Sequence, residues 1–142
     1  MTLDAVDRTL EPNVRSFLSE QFRHTTIATV NPDGTPHQIV IWYLLRGDDV
    51  VINSRQGRRW PSNLRREKRA NLAFFEGDDA VTLDVELVDS YEGDRAQADI
   101  AEMAHRYYSP EMAAKDIARF QTEQRVSFVL RPRRVHVHGN PS

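Results

Sequence analysis

Residues 25–45 read TTIATVNPDGTPHQIVIWYLL, and this stretch decides the fold. Thr25–Val30 is short and rich in β-branched side chains, which suits a strand. Asn31-Pro32-Asp33-Gly34 follows. Proline presets φ for a turn and glycine supplies a positive φ, so the tetrad predicts a hairpin. The second strand is expected from Pro36 to about Leu45. Its middle is apolar on both faces, so both faces are expected to be buried. Side chains alternate along a strand. Gln38, Val40 and Trp42 therefore share one face and Ile39 and Ile41 the other; one set is expected to meet a ligand and the other the core.

Downstream, Arg46-Gly47-Asp48-Asp49 turns the chain into a third strand, Val50–Asn53. A loop, Ser54–Trp60, leads to a short helix opened by Pro61 and running to about Lys68. Asn71–Glu76 and Ala80–Val88 are the next two strands, with a turn at Gly77-Asp78-Asp79. In the second of them Val81, Leu83, Val85 and Leu87 alternate with Thr82, Asp84 and Glu86, a period of two with one wet face. Asp94–Tyr107 is helical with Ile100, Met103 and Ala104 inward, and Pro110 opens another helix to Phe120. Val126–Leu130 is a sixth strand, interrupted at Pro132 before a short seventh at Val135 and Val137. Upstream, Pro12 opens a helix whose apolar face is Val14, Phe17, Leu18 and Phe22. Residues 1–142 carry no repeat, low-complexity tract or linker, so one domain is expected. Many short antiparallel strands with a few helices predict a mainly β chain, a closed or partly open barrel with helical additions.

Composition removes several function classes. There is no cysteine, which excludes disulfides, thiolate metal sites and cysteine nucleophiles. The formal net charge of −2 argues against a general nucleic-acid binder. The first twelve residues have no apolar core of a signal peptide, and the longest apolar run, Ile39–Leu45, is too short to span a bilayer. A cytoplasmic protein with no membrane partner is expected. His136 and His138 stand two apart on one strand face, but no further ligand lies near in sequence, so no metal is expected. Neither a Ser/His/Asp order nor a glycine-rich nucleotide fingerprint is present, and no side chain is assigned as an acid, base or nucleophile.

The basic residues are unevenly placed. Seven of the nineteen lie between Arg55 and Arg69, where Glu67 is the only acid. Within the loop, Ser54 and Gln56 offer hydrogen-bond donors, and Arg55, Arg58 and Arg59 offer charged, fork-shaped ones. Gly57 lets the backbone approach a ligand. The helix after Pro61 turns its free N–H groups and positive dipole end toward the same loop, so a phosphate is expected there. The alternative is a solvated basic helix. Arg65, Arg66, Lys68 and Arg69 fit that exposed face better than ligand contacts. Trp42 and Trp60 suit either a ring-stacking wall or the core, whereas Tyr43 is expected under the helices.

Four stretches in order carry a family resemblance: Ile27–Pro36, the strand ending Ile41-Trp42-Tyr43, Val51–Arg66, and Val126–Val135 with its Arg131-Pro132-Arg133-Arg134-Val135 ending. Together they resemble the pyridoxamine 5'-phosphate oxidase-like split barrels over nearly the whole chain. The likeness is to the short deazaflavin-using branch rather than to the true pyridoxamine-phosphate oxidases, whose Arg-x-His-type substrate-binding ending nothing here clearly matches. Many relatives carry a lysine where this chain has Trp60, and Arg58 or Arg59 is expected to supply that charge. The resemblance implies a six- to seven-stranded antiparallel split β-barrel with flanking helices. It implies a homodimer that binds coenzyme F420, or alternatively FMN, between subunits. The activity implied is an oxidoreductase passing hydride to or from a small organic substrate. The positions that would hold the cofactor are Gln38, Val40, Ile41, Trp42, Asn53, Ser54, Arg55, Gly57, Arg58, Arg59, Trp60 and Asn63. F420 is expected to bind more tightly than FMN, because an arginine-rich rim attracts the carboxylates of its oligoglutamate tail. A non-catalytic flavin or deazaflavin carrier is the alternative. A nucleic-acid-binding barrel is a third reading, weakened by the absence of an aromatic-rich strand beside the arginine cluster.

Overall fold

The computed structural model describes residues 3–4, 10–20 and 22–142. The opening segment, expected not to form a leader, lies largely outside the described residues. In chain order the elements are β1 (Leu3–Asp4), α1 (Pro12–Leu18), β2 (Thr25–Val30), β3 (Pro36–Ile41), β4 (Leu44–Arg46), β5 (Asp49–Arg55), α2 (Arg59–Glu67), β6 (Arg69–Glu76), β7 (Asp79–Glu92), α3 (Asp94–Tyr107), α4 (Pro110–Phe120) and β8 (Arg125–His138).

The hairpin that opens the sheet forms as its sequence requires. The Asn31 N–H donates to the Thr35 carbonyl at 2.8 Å, and the Gly34 N–H to the Asn31 carbonyl at 2.9 Å. Gly34 takes φ +88°, which a residue with a Cβ adopts only with strain. Asp33 Oδ1 accepts from the Thr35 backbone N–H at 3.0 Å and from its hydroxyl at 2.6 Å.

All strand pairs are antiparallel, in the order β3-β2-β6-β7-β8-β5-β4, with β1 beside β8. The two edge strands, β3 and β4, sit at opposite ends of that order, yet only Trp42 and Tyr43 separate them in sequence. Three residue steps reach about 11 Å at most. The sheet must therefore curl until its edges meet, giving a barrel split along β3 and β4. The chain is mainly β, an antiparallel split barrel with flanking helices.

Two apolar clusters hold it together. Ile27, Ile52, Leu72, Phe74, Leu83 and Phe128 fill the barrel, joined by Val14, Phe17 and Leu18 of α1 and by Trp60 and Leu64 of α2. Outside the wall, Met103, Ala104, Ala113 and Phe120 of α3 and α4 pack on Leu44 and Val51. Tyr43 is fully buried with its ring edge-on to Phe74, as expected of a residue under the helices.

Several boundaries differ from the expectation. The second strand stops at Ile41, where the chain crosses the split. Its faces are not both buried: Pro36, Gln38 and Val40 are exposed, because β3 is an edge strand with no described residue covering its outer side. The third strand continues through Ser54 and Arg55, which pair with Val126 and Arg125. Helix α2 starts two residues early, so Arg59 and Trp60 form its first turn together with Pro61. β7 continues to Glu92 through irregularities at Asp84/Val85 and Leu87/Asp89. β8 does not break at Pro132, which pairs with Val85 beside the first irregularity, a place where a missing N–H is tolerated. Phe22 lies outside α1, exposed and at φ +67°.

Candidate functional site

A cleft of about 360 Å³ opens at the split. The end of β3 supplies Val40 and Ile41, and Trp42 follows at the crossing. The end of β5 supplies Asn53, Ser54 and Arg55, and the start of α2 supplies Arg58 and Trp60. Ile100 and Met103 come from α3, and Arg119, Phe120, Glu123 and Arg125 from the end of α4 and the start of β8. The split explains why these meet. The β3–β4 crossing opens the wall next to the β5–β8 ladder, and α3 with α4 roofs the opening.

Its walls are of two kinds. Trp42 stacks on Tyr107 with ring centroids 5.1 Å apart and planes 8° from parallel. Tyr108 and Phe120 present their edges to it. Met103 and Ile100 extend this apolar side. The other side is a rim of guanidinium groups. Arg55 and Arg125 face each other across the β5–β8 ladder. Arg119 and Arg125 each lie 4.8 Å from the Phe120 ring centroid. Burial lowers the affinity of Arg125 for its proton, and although Glu123 opposes this, the charges of Arg58 and Arg119 add to the lowering. Like charges this close are unfavourable unless an anion joins them.

Eight of the twelve positions expected at a cofactor line this cleft: Val40, Ile41, Trp42, Asn53, Ser54, Arg55, Arg58 and Trp60. Gln38 is exposed on the outer face of β3. Gly57 forms the turn after β5 at φ +94°, so its freedom serves the turn. Arg59 does not line the cleft, and its charge is felt at the hairpin. The Asp33 carboxyl is held below its usual range by hydrogen bonds from Thr35, with a smaller contribution from the Arg59 charge. Asn63, 1% exposed, is a tie between α2 and the hairpin: its Nδ2 donates to Thr29 Oγ1 at 3.1 Å and to Asn31 Oδ1 at 3.0 Å.

Trp60 is core on most of its surface, edge-on to Phe128 and 2% exposed. Its indole Nε1 is nevertheless buried without a partner among the described residues, although such groups are nearly always bonded. Arg65 and Arg66 have partners within the chain, Gln56 for the first and Glu67 for the second, as suits an exposed helix face. The sequence reading missed Arg119, Phe120, Glu123 and Arg125 as site residues. No local pattern marks them, because they reach the cleft only through the long-range β5–β8 pairing. Among the described residues no three His, Asp or Glu side chains gather as a metal site. Nor is any helix among them long and apolar enough to cross a membrane.

The family profile described as pyridoxamine 5'-phosphate oxidase matches residues 10–139. The chain belongs to that family. Among solved structures it is similar to an F420 reductase, at 21% identity and a TM-score of 0.67, covering 84% of this chain and 93% of that one. A conserved hypothetical protein from Mycobacterium tuberculosis gives 20% identity and a TM-score of 0.68, with 97% and 90% covered. The heme storage protein HutZ from Vibrio cholerae gives 16% identity and a TM-score of 0.66, with 94% and 98% covered. At these identities the likeness is one of fold. No curated protein matches the sequence.

Proposed function

We propose that the cleft holds a phosphate-bearing flavin or deazaflavin, coenzyme F420 in preference to FMN, and that the protein is a cytoplasmic oxidoreductase acting on a small organic substrate. The observation that carries this reading is the pairing, within one cleft of a pyridoxamine 5'-phosphate oxidase family member, of an aromatic and apolar wall with an arginine rim. The residues fit such a group. Arg55, Arg58, Arg119 and Arg125 outnumber the single carboxylate, Glu123, and suit a phosphate with additional carboxylates. Trp60, which lines the same cleft, has an indole Nε1 with no partner among the described residues, a donor in want of an acceptor. Trp42, already stacked on Tyr107, gives the flat ring a rigid neighbour. The volume is in the usual range for a cofactor pocket.

When bound, the cofactor would supply hydride transfer; the chain's own residues bind it, orient it and limit water. The one carboxylate of the cleft is tied to Arg125 at 2.8 Å. For that reason no side chain is assigned to proton transfer. A second copy of the chain would complete the cleft from the outer side of β3, where Val40 is exposed at its border.

Calorimetric titration of the purified protein with F420 and with FMN tests the reading. Micromolar or tighter binding of F420, weaker binding of FMN, and turnover of the reduced cofactor with an electron acceptor are expected. Tighter FMN binding would reverse the cofactor choice. Binding without turnover across a panel of acceptors would favour a carrier.

A further inference from the structure

Arg125 differs from the other arginines of the cleft. Its side chain is 9% exposed, against 59% for Arg119. Its Nε donates to Asn53 Oδ1 at 2.9 Å, and its Nη1 donates to Glu123 Oε1 at 2.8 Å. Asn53 is itself fixed, with Nδ2 donating to the Ala96 carbonyl at 3.0 Å and to Ser127 Oγ at 2.9 Å. The Ser127 hydroxyl donates to Asp99 Oδ2 at 2.7 Å, and Arg46 Nη2 donates to Asp99 Oδ1 at 2.7 Å. Four side-chain hydrogen bonds thus run in series from Arg46, on the outside, to Arg125 in the cleft. The three intermediate residues, Asp99, Ser127 and Asn53, are all buried.

This arrangement does more than satisfy polar groups. Both amide hydrogens of Asn53 are used, and its oxygen faces Arg125, so Asn53 reaches a ligand only through that guanidinium. Arg125 stands among Arg55, Arg58 and Arg119 and would turn away from them if it were free. It is held in place instead, with Nη2 bonded to none of the described residues. A fixed, partly desolvated guanidinium, with Nη2 open beside the Nη1 that Glu123 holds, is a pre-set oxyanion receptor.

Resting on the reading of this cleft as the ligand site, we propose that Arg125 is its fixed oxyanion-recognition group, that Asn53, Ser127 and Asp99 are positioning residues for it, and that Glu123 occupies the place a ligand phosphate or carboxylate takes. Binding then exchanges one carboxylate on Nη1 for a ligand oxyanion, with no bond made or broken. Glu123 acts as an internal competitor, setting how strong an anion must be to enter.

The test uses wild type, Arg125→Gln, Arg125→Lys, Ser127→Ala, Ser127→Thr and Glu123→Gln, titrated with F420 and FMN. Inorganic pyrophosphate and a triglutamate peptide are added as separate probes of phosphate and carboxylate recognition. Removing a charge-assisted contact should weaken binding about tenfold or more in Arg125→Gln. Arg125→Lys should recover only part of this, because an ammonium lacks the fork. Ser127→Ala should weaken binding severalfold and Ser127→Thr should restore it. In the Arg125→Gln background Ser127→Ala should have no further effect on affinity, whereas a merely structural serine would act additively. Glu123→Gln should tighten binding severalfold, a gain that misfolding does not produce. The probe that loses most in Arg125→Gln tells whether phosphate or carboxylate is read. Equal binding of all four probes by wild type and Arg125→Gln, additive effects, or weaker binding by Glu123→Gln would overturn the inference. Loss of flavin and deazaflavin binding in wild type, with Arg125-dependent pyrophosphate binding intact, would sink the cofactor reading and leave the inference standing.

Discussion

At the scale of single residues, the most demanding group is Asp99, a carboxylate 3% exposed inside the α3 contact. Burial alone would raise its pKa, but hydrogen bonds from Arg46, Tyr91 and Ser127 outweigh that and hold it below the ordinary 3.8. A depressed carboxyl contributes its stability above the unfolded pKa, and the contribution fades as pH falls through the lower folded value. Asp99→Asn should therefore destabilise the fold by about 2 kcal/mol at neutral pH, less than for a fully buried pair because Arg46 is partly solvated. In urea melts the gap between variant and wild type should narrow below about pH 4 as the wild-type carboxyl protonates. A gap that is constant down to acid pH would mean that packing, not charge, holds this site. Arg58 and Arg59 make a second comparison. They are adjacent in sequence and equally basic, yet Arg58 borders the cleft and Arg59 does not, its charge acting instead on Asp33 of the hairpin. Arg58→Ala should weaken anionic cofactor binding about tenfold, the value of one charge-assisted contact, and Arg59→Ala by less than twofold. Equal losses would move the phosphate toward the helix start.

At the scale of elements, sequence patterns carried what is local. Thr25–Val30, Asp94–Tyr107 and Pro110–Phe120 form with the expected bounds, because period, proline placement and turn residues agree there. The boundaries that moved are those set by partners distant in sequence. Ser54 and Arg55 join β5 only because Val126 and Arg125 lie opposite, and Pro132 is tolerated only because β7 departs from regular register across from it. The site divides in the same way. The β3 end and the β5 loop were legible as a ligand rim, whereas Arg119 and Arg125 needed the β5–β8 ladder to bring them in. Local conformation also leaves a place for improvement. Lys68 ends α2 at φ +63°, its N–H donating to the Leu64 carbonyl at 2.8 Å. Glycine is preferred at such a left-handed helix end, since it has no Cβ to strain. Lys68→Gly should stabilise by up to about 1 kcal/mol, roughly 3 °C in Tm for a domain of this size. A lower Tm would show that the Lys68 side chain contributes more than its backbone strain removes.

At the scale of the whole molecule, one sheet face is left exposed by the described residues. Val40 on β3 is 61% exposed and Phe75 on β6 is 68% exposed, and the register puts both on one face of the sheet. Between Val40 and the β7 strand the register places Thr26 and Ala73, then Thr82, so the ground between the large apolar residues is small-sided and flat. Apolar groups flanking a flat surface suit a self-complementary contact about a two-fold axis better than they suit water. Because Val40 also borders the cleft, a second copy seated there would wall the cofactor on its open side. Sedimentation at micromolar concentration should give a dimer. Val40→Glu combined with Phe75→Glu should give a monomer, since charges on both halves of an isologous contact meet their symmetry mates. The monomer's own stability should change by less than about 1 kcal/mol, because both side chains are exposed within the chain. Its cofactor affinity should fall at least tenfold even though every arginine of the rim is intact, roughly 1.4 kcal/mol lost with the missing wall. A wild-type monomer at micromolar concentration would refute the contact. A double variant that is monomeric yet binds the cofactor unchanged would separate the dimer from the site and leave the cleft complete within one chain.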